Sequence, residues 1–184
     1  MGNRLTEAKN TMKNEIERSL APLVTLPMWA MDCAADLAMF TFGDRRLEQN
    51  RHGEVVGVRE YTLHVQCAWR LVGQNGIIVA SRDYFYPAGD PNDDPPNFDH
   101  DQPGANRRDE RMAAFFAECG HEVPVVESID ADRVGSLRIV MSHDVTLEVF
   151  PNDSLEGEYW RFFPAYSHAR HFVVTGRGIK DHEA

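Results

Sequence analysis

The chain has 184 residues, 42% hydrophobic and 26% charged, which suits one soluble domain with enough core to fold without staples. Its 29 acidic and 19 basic residues leave a formal charge of −10. That balance disfavours a nucleic-acid partner, because phosphate backbones are held by Lys and Arg, and it suits a basic protein partner instead.

The N-terminus, "MGNRLTEAKN", lacks the apolar core of a signal peptide. Thr6 can cap a helix over 6–20, in which Met12, Ile16 and Leu20 recur at four-residue spacing before Pro22 and Pro27 end it. The longest apolar run, 27–42, is interrupted by Asp32 and Asp36 and is too short to span a bilayer. A cytoplasmic protein with no membrane partner is expected. Within that run "DLAMFTFG" (36–43) reads as a buried strand stopped by Gly43.

After a charged turn, "EYTLHVQCAWRLVGQNGIIVASRDYF" (60–85) predicts two strands around Asn75-Gly76, the dipeptide that tight hairpin turns favour. Residues 87–105, "PAGDPNDDPPNFDHDQPGA", form a long Pro- and Asp-rich loop, suited to a recognition element or a lid. A short helix follows over 107–119, with Met112, Phe115 and Phe116 inward and Gly120 as its stop. The last third predicts strands only: 123–129, 137–141 facing 145–150 across "SHD", 159–163 and 172–175. No strand–helix–strand alternation occurs, so a parallel sheet is not expected. The expected class is α+β, one domain, with a mainly antiparallel curved sheet, an N-terminal helix and one mid-chain helix.

The first hairpin strand sorts its side chains. Leu63, Val65, Cys67 and Trp69 share one face, and His64, Gln66 and Arg70 the other. Whether the hairpin loop takes two residues or four, pairing parity adds Val79, Ser81 and Asp83 to the polar face. The patch His64, Gln66, Arg70, Ser81 and Asp83, with Arg70 paired to Asp83, could then hold a carboxylate, a phosphate or a partner's side chain. The competing reading is a solvated sheet face with cross-strand pairs worth under about 1 kcal/mol each.

In the acidic loop, Asp90 at the first position of a calcium loop places Pro95 at the sixth, where Gly is required. A solvated loop is expected, offering Asp93, Asp94, Asp99 and Asp101 to a partner. Cys33, Cys67 and Cys119 are odd in number and widely spaced, so buried free thiols in a reducing compartment are expected. His168 with His171, and Cys119 with His121, lack a third donor at a familiar spacing, and no metal or other cofactor is expected. HExxH, GxSxG and phosphate-loop motifs are absent, so no catalytic residue is assigned. In "LEVFPNDSLEGEYWRFF" (147–163) the turn "PNDS" lets the apolar residues fold back on one another, with Glu148, Glu158 and Arg161 on the strand flanks.

Three segments together, "LPMWAMDCAADLAMFTFG", "EYTLHVQCAWRL…GIIVASRDYFYP" and "GSLRIVMSHDVTLEVFPNDSLEGEYWRFF", resemble a group of bacterial proteins carrying a domain of unknown function. Their pattern is an LHVQCxWR strand, an acidic linker and an LEVFPxxSxxxExWR segment. The resemblance implies a small cytoplasmic bacterial protein and no particular activity. Size, acidity and the C-terminal hairpin with its WR-bearing strand are also similar in style to immunity proteins of toxin systems.

The leading expectation is therefore a non-enzymatic acidic protein-binding module, immunity-type or regulatory, whose partner is a basic protein such as a toxin domain. Its contacts are expected from the four loop acids with Glu148 and Glu158. A small-ligand binder or enzyme on the polar hairpin face is the second class, and a homodimer burying that face is the third.

Overall fold

The computed structural model describes residues 2–44, 46–49, 55–58, 60–90, 92–93, 95–165 and 170–182. In chain order the elements are α1 (Gly2–Leu20), β1 (Met28–Ala34), β2 (Leu37–Phe42), β3 (Arg46–Gln49), β4 (Val55–Val58), β5 (Tyr61–Val65), β6 (Ala68–Gly73) and β7 (Gly76–Ala80). A 3-10 turn, Ser81–Phe85, and the long loop lead to α2 (Arg107–Cys119). Then follow β8 (Val126–Ala131), β9 (Leu137–Met141), β10 (Val145–Phe150), β11 (Glu158–Pro164), β12 (His171–Thr175) and β13 (Gly178–His182). The expected α+β class is the one the chain adopts, antiparallel with an N-terminal and a mid-chain helix. Segments β1, β3, β4 and β13 were not anticipated, and the presumed charged turn before residue 60 holds the β3–β4 hairpin. Among the described residues no helix is long and apolar enough to cross a membrane.

The strands divide into two open sheets, ordered β1-β2-β5-β11-β12-β13 and β7-β6-β10-β9-β8, with β3–β4 apart. The chain passes between them at Gln66–Cys67 and again between β10 and β11. These two crossings are tied together. Gln66 and Cys67 both donate their N–H to the Tyr159 carbonyl (2.8 and 3.2 Å), and the Ala68 N–H donates to Asn152 Oδ1 (3.1 Å). The two segments that carry the resemblance thus meet at one corner. At a second junction Thr25, Leu26 and Met28 exchange backbone hydrogen bonds with Pro124 and Val126.

Alternation survives the corner. Leu63, Val65, Cys67, Trp69 and Leu71 are all buried, so the same parity faces the core in both sheets. One contiguous cluster forms the core, with Trp69 meeting Phe40 edge-on across the sheets at 5.1 Å. Helix α1 buries Ile16 and Leu20 and lies along the edge strand β8. Lys13 Nζ donates to the Ala131 carbonyl (2.9 Å), and the Ala131 N–H donates to Glu17 Oε1 (3.2 Å), so side chains satisfy an otherwise open strand edge.

The β9–β10 turn holds His143 and Asp144 at φ 61 and 57. Two consecutive left-handed residues make a type I′ geometry, which Asn-Gly adopts with least strain. The double substitution His143→Asn with Asp144→Gly is expected to add about 1 kcal/mol and raise Tm by about 3 °C, measured by calorimetry. No change would mean the turn is not strained.

Candidate functional site

The structure separates the five-residue hairpin patch. Arg70 pairs opposite Ala80 and Leu71 opposite Val79, but Val72 lies opposite Ile77, so β7 carries an extra residue at Ile78. That bulge reverses the alternation beyond it. Val79 therefore lies in the core, fully buried. Ser81 and Asp83 leave the strand altogether. Ser81 Oγ accepts the Trp69 N–H at 3.4 Å, and Asp83 Oδ2 accepts the Ala80 N–H at 2.8 Å, which closes the 3-10 turn. Arg70 pairs with Glu148, its cross-strand neighbour, at 2.5 Å instead of with Asp83. His64 belongs to the six-stranded sheet and Arg70 to the five-stranded one, so the two do not share a face.

His64, Gln66 and Glu158 are gathered on the six-stranded sheet. Gln66 Nε2 donates to Glu158 Oε1 at 3.1 Å. Arg161, directly opposite His64, donates from Nε and Nη2 to the two carboxylate oxygens of Glu158, at 2.6 and 2.5 Å. Phe163 stacks on His171 at 4.1 Å and meets His64 edge-on at 4.9 Å. The fork pairing commits both the cation and the acid internally, so this face is braced rather than poised for a ligand.

The acidic loop is anchored at its ends. The Ala88 N–H donates to the Ala105 carbonyl and the Arg107 N–H to the Tyr86 carbonyl, both at 2.8 Å. Asp93, Asp99 and Asp101 are exposed, and Asp94 lies outside the described residues. Asp99 Oδ1 accepts the Asp101 N–H at 3.0 Å, and Asp101 Oδ1 accepts the Tyr84 hydroxyl. Beside this segment Phe85 and Tyr86 are 53% and 43% exposed.

Behind the loop lies a cavity of about 360 Å³, bounded by the end of β1, Tyr84, His100, Asp101 and the first turns of α2. Asn106 caps α2, its Oδ1 accepting the Asp109 N–H at 2.9 Å, and this fixes where the helix begins. Arg108, Met112 and Phe115 then fall at i, i+4 and i+7 on the inward stripe, all buried. Arg108 is only 2% exposed. Its Nη1 donates to the Ala35 carbonyl at 3.0 Å, Nη2 lies 3.5 Å from Asp109 Oδ1, and the guanidinium sits 4.5 Å over the Tyr84 ring. Its Nε is buried with no acceptor among the described residues. Sequence reasoning missed Arg108 and Tyr84 as site residues. The available signal was an Arg on the same helical stripe as Met112 and Phe115.

The hydrogen bond to Asp101, together with burial, pushes the Tyr84 phenol up to about 12. Burial pushes the Cys33 thiol up to about 11, against the opposing pull of Arg108, and the Cys67 thiol up to about 12. All three groups keep in the folded state a proton that the unfolded chain loses sooner. Their contribution is therefore complete below pH of about 9 and fades as pH climbs from about 9 towards 12. Urea denaturation across that window is expected to show falling stability, with a shallower fall in Cys33→Ser/Cys67→Ala. An unchanged slope would contradict the burial of both thiols.

A second, more open groove of about 580 Å³ lies between the β6–β7 turn and the far end of α2, where Arg111 Nε donates to the Ile78 carbonyl at 2.7 Å. No protein-family model matches the chain, and no curated protein or solved structure matches it either.

Proposed function

We propose that the protein is a non-enzymatic, acidic protein-binding module, immunity-type or regulatory, whose contact surface is the loop face around Phe85. The carrying observation is the exposure of Phe85 and Tyr86 beside loop acids. The Phe85 ring lies 5.9 Å from that of His100, which Asp99 and Asp101 flank in sequence. A large exposed aromatic with a charged rim is the form that interface anchors take. The charge of −10 steers a basic partner such as a toxin domain towards this face. Glu148 and Glu158 drop out of the contact set, because Arg70 and Arg161 occupy them. The raised Cys33 and Cys67 thiols oppose nucleophilic chemistry, which needs a thiolate.

The test is binding of the product of the adjacent gene, the natural place for a toxin-type partner. Affinity is expected to weaken about tenfold or more as salt rises from low to physiological strength. Phe85→Ala is expected to cost a similar factor without lowering Tm. A neighbour that does not bind, or binding indifferent to both salt and Phe85→Ala, defeats this reading.

A further inference from the structure

The edge of β1 carries a second inference, independent of any contact at Phe85. From the juxtaposition of outward backbone groups on that edge with the cavity between it and α2, we infer a strand-addition site. Its occupant is an extended segment of a basic protein, which pairs with β1 at Met31 and Cys33 and lies along α2.

β1 is an edge strand of the six-stranded sheet, paired with β2. That pairing fixes which groups turn outward. Ala34 and Leu37 close a two-residue turn, so theirs is a hydrogen-bonded pair, and the pairs alternate from there. Asp32 with Met39 is bonded, while Cys33 with Ala38 and Met31 with Phe40 are not. The other end of the strand agrees, since the Met28 N–H donates outward to the Pro124 carbonyl while the Gly43 N–H donates to the Pro27 carbonyl. The N–H and C=O of Met31 and Cys33 therefore point away from β2, and no backbone group among the described residues meets them. Both edges of the other sheet are covered. Arg111 Nε donates to the Ile78 carbonyl of β7, and Lys13 and Glu17 bond Ala131 of β8. Beside Met31 and Cys33 there is instead a cavity of about 360 Å³, walled by Met112, Ala113 and Phe116 of α2. Strand addition uses both features, main-chain groups for affinity and side-chain pockets for alternate residues. Charge selects the occupant. Asp32, Asp101 and Asp109 border the cavity, and Arg108 beside them is buried and already hydrogen-bonded. A second copy pairing edge to edge would bring these acids and two charges of −10 together, so a basic segment fits and another copy does not.

The probes are fluorescein-labelled hexapeptide amides alternating Lys with Val, Leu, Ile or Phe, titrated into the intact protein by fluorescence anisotropy. At least one is expected to bind, and its counterpart with Glu in place of Lys about tenfold or more weakly. The decisive pair carries backbone N-methyl groups on alternate residues. One pattern blocks the N–H groups turned to β1 and is expected to cost at least about tenfold, whereas the other leaves affinity within about twofold. In the free protein the amide protons of Met31 and Cys33 are expected to exchange faster than that of Asp32, and the bound peptide to slow them. Cys33→Pro removes one outward donor without breaking a bond to β2, and Ala113→Trp fills the cavity from an exposed position of α2. Each is expected to weaken the peptide about tenfold with the fold intact. The inference is overturned if no basic peptide binds, if both N-methyl patterns bind alike, or if Met31 and Cys33 are protected without peptide. A dimer that Cys33→Pro dissociates also overturns it, by giving β1 to a second copy. The panel contains no gene neighbour, so its failure leaves the Phe85 reading standing.

Discussion

Trp160→Ala is expected to lower the free energy of unfolding by about 4 kcal/mol, a large part of what a domain of this size possesses. Trp160 is fully buried at the centre of the six-stranded sheet, between Val65 of β5 and Val174 of β12. Its Nε1 donates to the Gly135 carbonyl at 2.7 Å, which pins the β8–β9 connection to the core. Gly135 itself has φ 93, and a methyl group there would come within 2.7 Å of Val174 Cγ1, so the connection cannot shift inward to fill the space. Truncation therefore loses transfer energy, leaves a cavity and strands a carbonyl. Trp160→Phe keeps most of the volume and is expected to cost about 2 kcal/mol, which separates packing from the hydrogen bond. Urea midpoints at constant m-value measure both. A loss below about 1.5 kcal/mol for the alanine variant would show that the region relaxes, against the packing described above.

The second large effect is at Arg108. Arg108→Ala is expected to destabilise by about 3 kcal/mol, because it removes the donor to the Ala35 carbonyl, the partner of Asp109 and the cation over Tyr84. Arg108→Met should recover about half of that. It restores the packed stem and removes a charge whose Nε was never satisfied, and an apolar replacement of an imperfectly paired buried ion is often tolerated. The ordering of the pair is the discriminating result. If the methionine variant were as unstable as alanine, Arg108 would act chiefly through its hydrogen bonds.

The polar hairpin face shows where local reasoning stops. The alternation from Leu63 to Leu71 was readable because it needs only an extended backbone. The two faces of β5 and β6 were assigned correctly, but Val79 of β7 lies in the core and not on the polar face, and the patch did not form. Two events broke it, and neither has a signature in the segment itself: the extra residue at Ile78 and the transfer of the chain from one sheet to the other at Gln66. Both depend on strands far along the chain. Tyr159 and Asn152 fix the corner, and Glu148 takes Arg70 before Asp83 can.

By itself the sequence determined the α+β class, helix α2, the turn at His143-Asp144, and which residues of β5 and β6 face the core, whereas the hairpin turn expected at Asn75-Gly76 falls one residue earlier, at Gln74-Asn75, with Gly76 paired opposite Gly73. These follow from periodicity and from the backbone preferences of a few residues, which act over one or two turns of chain. Only the tertiary structure decided that the strands split between two sheets, that Arg70 pairs with Glu148 and not with Asp83, and that Arg108 is buried beneath an acidic loop. The reason is physical. Pairing partners and burial are set by contacts between residues tens of positions apart, whose energies no local pattern encodes.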